Sequence, residues 1–252
     1  MSRAAAQTAR PTEPAASAAP EKRAAALRPR NAATLIILDR SGRGAPKLLM
    51  GRRHDGHTFM PGKFVFPGGR IELEDRHMPV AGTLNDRAEA ALAARVTRPP
   101  HHLGRALALA AIRETFEETG LMIGTRAYGP PDAAPDGPWA AFREEGVLPD
   151  LEALQFIARA ITPPQRPKRF DTRFFAVDRN AVAGERGGIV GPDAELVELA
   201  WVDLKQARAL DLPRITAIVL DELEARLAAG FSPMLPVPYF REVRGRHVRE
   251  EL

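Results

Sequence analysis

Apolar positions along the chain fall into short alternating or continuous runs separated by breaker residues, with two stretches of helical spacing. Ala32 to Leu38 is a β-rich apolar segment, closed by Asp39-Arg40-Ser41-Gly42-Arg43-Gly44. Lys47 to Met50 follows as a second short strand, as in a hairpin with a long loop. Phe64-Val65-Phe66 is a third strand, broken by Pro67-Gly68-Gly69, a bend where backbone can approach a ligand. Asp86 to Val96 reads as a helix capped by Asn85 or Asp86 and stopped by Pro99-Pro100. The main helix spans about His102 to Thr119, with Leu109, Ile112 and Phe116 toward the core and Gly120 at its end.

Further on, Leu121-Met122-Ile123 is a strand, and Trp139 to Glu145 forms a short helix. Leu154 to Ile161 fits either helix or strand and ends at Thr162-Pro163-Pro164. Phe170 to Val177 and Glu198 to Val202 read as strands, with Gly184 to Asp193 as a loop. Ile215 to Leu227 is a final amphipathic helix. Strands, a long helix, more strands and a helix predict an α/β fold with a mixed sheet covered on both sides.

Residues 1–30 are expected to form a low-complexity, disordered tail, too poor in apolar residues to offset the entropy of ordering. Residues 31–240 form the expected globular domain, and 241–252 a polar C-terminal tail. The formal net charge is +4, all of it carried by residues 1–30 with six basic and two acidic side chains. The rest is neutral, so the basic balance does not define a nucleic-acid-binding fold, and nucleic acid is disfavoured as a partner. There is no cysteine, which excludes disulfides, thiolate nucleophiles and cysteine-based zinc sites. No run of 18 apolar residues is present and the N-terminus lacks a signal-peptide core, so a cytoplasmic protein without membrane association is expected.

The candidate chemistry lies in Arg113-Glu114-Thr115-Phe116-Glu117-Glu118-Thr119-Gly120. Glu114, Glu117 and Glu118 occupy i, i+3 and i+4, along one helical face. There they repel by roughly 0.2–0.5 kcal/mol per pair, in the half of the helix where the dipole disfavours negative charge. A hard divalent cation reverses that sign, since Mg²⁺ binds carboxylates, waters and substrate phosphates. The residues alone leave two readings, a cation site and a solvated acidic face. Arg113 either pairs with Glu117 or is itself solvated.

With the glycine bend, these residues resemble the Nudix box, G-x5-E-x7-R-E-(apolar)-x-E-E-x-G-(apolar). Arg113, Glu114, Glu117, Glu118, Gly120 and Leu121 match its second half, and Gly68-Gly69-Arg70-Ile71-Glu72 its first. Asp75 stands where the family has its first glutamate, and Thr115 replaces an apolar residue. Asp75 and Arg113 lie 38 positions apart where the family has eight, so residues about 77–106 interrupt the box as a helical insertion. An interrupted box is similar to that of peroxisomal acyl-CoA and CoA diphosphatases and their bacterial relatives. Arg169 to Phe175, Ile161-Thr162-Pro163 and Glu195 to Val202 also resemble that branch. Gly62 to Gly69 fits the end of its CoA-site motif, but Thr58 replaces the motif's arginine.

The resemblance implies an α/β/α Nudix sandwich and a diphosphohydrolase acting on a small nucleoside-diphosphate derivative with Mg²⁺ or Mn²⁺. It implies Glu114, Glu117 and Glu118 as catalytic metal ligands, with the Gly68 carbonyl as a further ligand. Arg52, Arg53, Gly69 and Arg173 are candidate substrate-binding residues, although a surface role fits the first two equally. Glu198 is a candidate late metal ligand or a strand-edge residue. The histidines at 54, 57, 101 and 102 are read as loop residues, and Trp139 and Trp201 as packing residues. By family analogy the chain is a candidate homodimer with the insertion as contact surface. Two alternatives stand beside CoA hydrolysis. One is a Nudix hydrolase of ADP-ribose, NADH, a dinucleoside polyphosphate or an RNA 5′ end. The other is a non-catalytic nucleotide-binding module.

Overall fold

The computed structural model describes residues 27–252. Most of the expected N-terminal tail, residues 1–26, therefore lies outside the described residues, and Arg30 already begins a strand. In chain order the first elements are β1 (Arg30–Asp39), β2 (Lys47–Arg53), β3 (Phe64–Val65) and β4 (Gly68–Arg70). Helices α1 (Asp86–Ala93) and α2 (Leu103–Thr119), strand β5 (Leu121–Ile123) and helix α3 (Pro138–Glu144) follow. Then come β6 (Gln155–Ile161), β7 (Phe170–Asp178), β8 (Val182–Glu185) and β9 (Leu196–Asp203). Helices α4 (Leu204–Arg208) and α5 (Arg214–Ala228) precede β10 (Pro238–Val243) and β11 (Arg246–Glu251).

Nine strands form one mixed sheet along the path β11-β10-β6-β7-β1-β2-β3, with β4 added to β1 and β9 to β2. β1 and β7 pair in parallel over nine positions, as do β10 and β6 over two, while the remaining pairs are antiparallel. Side chains of successive strand residues point to opposite faces, so β1 supplies two cores at once. Leu35 and Ile37 face α2 with Leu107, Ile112, Phe116 and Phe175. Ile36 and Leu38 face α5 with Val219, Leu220 and Leu223. This gives the expected mixed sheet between helical layers. No described helix is long and apolar enough to cross a membrane.

Leu154 to Ile161, open between two states by its pattern, forms strand β6 because the sheet supplies partners on both sides, β7 and β10. The expected loop from Gly184 begins as the end of β8, which pairs with β5 in a separate two-stranded sheet. The expected polar tail 241–252 is corrected outright. Its residues complete β10 and form β11, a hairpin at the sheet edge. Ladder pairing over six positions and ion pairs hold this edge, Arg241 to Glu250 at 2.7 Å and Arg249 to Glu222 of α5 at 2.6 Å. A strand stabilised that way has no apolar run, and its charges suit an exposed edge.

Between Asp75 and α2 the chain does not swing clear of the domain. Ala81 bridges to Asp150, and α1 buries Ala88, Ala91 and Leu92 in the α2-side core. Asn85 caps α1 by accepting from Ala88 N–H at 2.8 Å. Arg105 of α2 donates to the Met78 carbonyl, tying the start of the segment to the helix that follows it.

Candidate active site

Helix α2 ends where Gly120 adopts φ +81°, which lets its N–H close on the Phe116 carbonyl at 2.8 Å before β5 begins. That stop fixes the last turn and its acids against β4. Hydrogen bonding at Leu35–Pro67 and Asn31–Ile71 sets the alternation of β4 along β1, so Gly68 turns its N–H and C=O away from β1. The Gly68 N–H donates to Glu118 Oε2 at 3.2 Å. Neither glycine has room for a side chain. A Cβ on Gly68 would lie 2.5 Å from the Ala33 carbonyl oxygen, and one on Gly69 would run into the Glu114 carboxylate. We expect Gly69→Ala to displace Glu114 and lower turnover at least about tenfold, a loss of roughly 1.4 kcal/mol, while urea unfolding shifts little. Unchanged kcat would show that Glu114 position is irrelevant.

Arg113 is the organiser. It is buried, 2% exposed, and uses its guanidinium fork in four directions. Nε and Nη2 donate to the two carboxylate oxygens of Asp75 at 2.8 and 3.2 Å. Nη1 donates to Glu114 at 2.9 Å and Glu117 at 2.5 Å, and Nη2 donates to the Arg70 carbonyl at 2.8 Å. Burial works against the Arg113 charge, but Asp75, Glu114 and Glu117 together hold it firmly protonated. Asp75 is wholly buried and also accepts from Glu72 N–H at 2.8 Å. The open question about Arg113 thus resolves as a buried ion pair.

The three glutamates differ in environment. Glu118 is 4% exposed, and burial first, then the Glu195 and Glu114 carboxylates, push its pKa well above the usual range. Glu114 is raised to about 7 by burial, against the pull of Arg113, with Glu117 and Glu195 adding to the rise. Glu117 is more exposed, turned toward Arg113, and raised by burial. Among the described residues no three acidic or histidine side chains form a ready metal cage. The donor set nonetheless fits a hard cation that keeps most of its ligands as water and phosphate: buried Glu118 and half-buried Glu114 beside an outward-facing Gly68 carbonyl.

The structure brings Arg53 into this group but not Arg173. Arg53 pairs with Glu195 at 2.9 Å and is close enough to Glu118 to oppose its rise. Arg52 lies one position further out, paired with Glu198 at 3.2 Å. Arg173 is corrected: it is wholly buried and donates to Asn31 Oδ1 at 2.8 Å and to the Asp171 carbonyl at 2.7 Å. Burial pulls its pKa down to about 10, and its neighbour Arg159 forks onto Asp171 at 2.8 and 2.7 Å. The β1 register places Arg173 opposite Ala33, on the core-facing side, which denies it a solvent-exposed ligand.

Glu195 is the acid that pattern reading missed. Glu198, a candidate late metal ligand or strand-edge residue by sequence, stands across from Arg52, and a register shift between Arg52 and Arg53 leaves Glu195 beside Arg53. Only the bulge decides between them, and nothing in the local sequence announces it. Trp139 packs against Phe142 with ring centroids 5.0 Å apart, as expected of a packing residue, and Trp201 lies under the Arg179 guanidinium at 4.9 Å.

The fold is that of the Nudix hydrolases. The crystal structure of a Nudix hydrolase from Alicyclobacillus acidocaldarius is 28% identical in sequence, with a TM-score of 0.56 over 79% of this chain and 92% of that one. The proteins that share this fold are Nudix hydrolases, which act on pyrophosphate bonds. The Nudix domain of Shewanella oneidensis NrtR, solved with ADP-ribose, is 11% identical with a TM-score of 0.42, covering 80% of this chain and 90% of that one. An Ap4A hydrolase from C. elegans is 15% identical with a TM-score of 0.39, covering 79% and 98%. No protein-family model matches the chain, and no curated protein matches it.

Proposed function

We propose that this chain hydrolyses a diphosphate linkage in a nucleoside-diphosphate compound of the CoA or acyl-CoA class, using Mg²⁺ or Mn²⁺. The observation that carries the proposal is the under-neutralised pair of buried Glu118 and half-buried Glu114, held against the Gly68-Gly69 bend. Buried like charges are costly, and a protein keeps them where a cation or a proton completes the site.

Glu118, Glu114 and the Gly68 carbonyl would hold the metal, with Glu117 and Glu195 at its edge. When bound, the metal supplies Lewis acidity toward phosphoryl oxygens and lowers the pKa of a water. Arg113 holds Glu114 and Glu117 in place through its own anchor on Asp75. With metal bound, Glu114 would be ionised and could take a proton from the attacking water, directly or through a metal-bound water. Arg53, which pairs with Glu195 beside the acids, would meet a substrate phosphate, and Gly69 keeps the Glu114 carboxylate close against the bend. Water attacks phosphorus, the P–O bond of the bridging oxygen breaks, and two phosphorylated products leave.

Two observations support the CoA class. Asp75 reaches Arg113 although 38 positions separate them, as an interrupted box requires. At Thr58, where the resembling motif has arginine, Lys168 Nζ donates to the threonine hydroxyl at 3.1 Å and restores a cation there. The second reading, another nucleotide substrate, is favoured by the missing arginine itself. The test is a panel of CoA, acyl-CoA, ADP-ribose, NADH and dinucleoside polyphosphates, with Mg²⁺ or Mn²⁺ and with EDTA. Metal-dependent turnover highest on CoA compounds is expected. Turnover confined to other nucleotides overturns the CoA class, and no turnover on any compound overturns hydrolysis.

A further inference from the structure

A second charged feature lies at the opposite end of α2 from the acids. Arg30 of β1, Arg70 of β4 and Arg76 converge on a cleft of about 360 Å³, with Asn31 and His102 also lining it. No acidic residue lines the cleft, and none of the three guanidinium groups has an ion-pair or hydrogen-bond partner among the described residues. Three exposed like charges along one cleft repel one another, and an anion between them reverses that sign.

Two features of the wall favour the same ligand. Asn31 Oδ1 is occupied by Arg173 Nη1 at 2.8 Å, which leaves the Asn31 amide N–H₂ to donate elsewhere. Behind it, Arg159 and Arg173 share the single carboxylate of Asp171, and Arg173 Nε and Nη2 are buried without partners, so positive charge is in excess there too. The first turn of α2 opens on the cleft at His102 and Leu103, with no side-chain cap and no acidic residue to neutralise its dipole.

We propose that this cleft binds a phosphate group, at a site distinct from the diphosphate-cleaving acids. Eight helical residues separate Ala106, at the cleft, from Glu114, or about 12 Å at 1.5 Å per residue. The phosphate has two chemical sources. It is a phosphate monoester carried by the substrate, which rests on the hydrolase reading above, or free phosphate, which does not.

Isothermal titration of the full chain with inorganic phosphate in EDTA, which keeps metal-mediated binding out, tests the site without any turnover. Arg30→Gln/Arg76→Gln is expected to weaken phosphate binding by about tenfold or more, as expected for losing charge-assisted hydrogen bonds. The single Arg76→Gln variant gives a smaller loss and covers the case in which the double variant misfolds. Glu118→Gln binds phosphate as the wild type does. Absent binding by the wild type, or equal binding by wild type and both arginine variants, overturns the site. A nucleoside-diphosphate ester with and without an added phosphate monoester then separates the sources. If the arginine variants raise KM only for the compound bearing the monoester, the substrate supplies the phosphate. If KM is unchanged while phosphate binding is lost, free phosphate is the ligand.

Discussion

Glu118→Gln is expected to abolish most hydrolysis while making the metal-free protein more heat-stable. Loss of a group acting on transition-state charge costs roughly 10²- to 10³-fold in kcat, and the proposed metal-ligand role of Glu118 puts it at the upper end. The stability change has the opposite sign. Glu118 is 4% exposed, and burial, then the Glu195 and Glu114 carboxylates, push its pKa well above 4.5. Glutamine keeps the acceptor for the Gly68 N–H and replaces the repelled oxygen with an amide donor facing those carboxylates. The unfolded chain ionises its glutamates near 4.5, whereas folded Glu114 holds its proton to about 7. Stability from such groups is full below about pH 4.5 and is lost as pH rises through the folded value. In EDTA the wild-type melting temperature therefore falls between pH 5 and pH 8, and the Gln variant falls less. Added Mg²⁺ or Mn²⁺ restores the wild type and not the variant. Melting curves in EDTA that respond to pH identically in the two proteins would show that Glu118 is not part of a strained acidic cluster.

Asp75→Ala should be the most destabilising single change at the site. It leaves the Arg113 guanidinium buried without the carboxylate that occupies both Nε and Nη2. Breaking one side of a buried ion pair costs about 3–5 kcal/mol, roughly 6–20 °C in melting temperature for a chain of this length. Arg113 is then free to collapse onto Glu114 and Glu117, so kcat should fall even at temperatures where the variant is folded. Urea unfolding within about 0.5 kcal/mol of the wild type, the usual size of a surface substitution effect, would show that the pair is not a structural anchor.

Much of the site was legible because its residues are adjacent in sequence. Spacing i, i+3, i+4 places Glu114, Glu117 and Glu118 on one helical face wherever the helix forms, and Gly120 marks its end. Asp75 was harder. Its identity as the partner of Arg113 depends on closing a 38-position separation, which no local pattern encodes. Glu195 and Glu198 differ by three positions at the start of β9, and a bulge there, two residues of β9 against one of β2, selects between them. Arg173 was a candidate substrate-binding residue, and the alternation of a strand gives two faces without saying which is buried. Its pairing with Ala33 put it inside.

Local periodicity and turn chemistry by themselves determined the strand and helix order, the mixed α/β class, and the acid stripe with its glycine bend. These are properties of three or four consecutive residues, and the backbone geometry of a helix or strand enforces them. The sheet decided the rest: that 241–252 is a strand, that Asp75 closes on Arg113, that Glu195 joins the acids, and that three arginines share a cleft. Each depends on pairing between residues far apart in the chain, where register and desolvation act and sequence spacing carries no information.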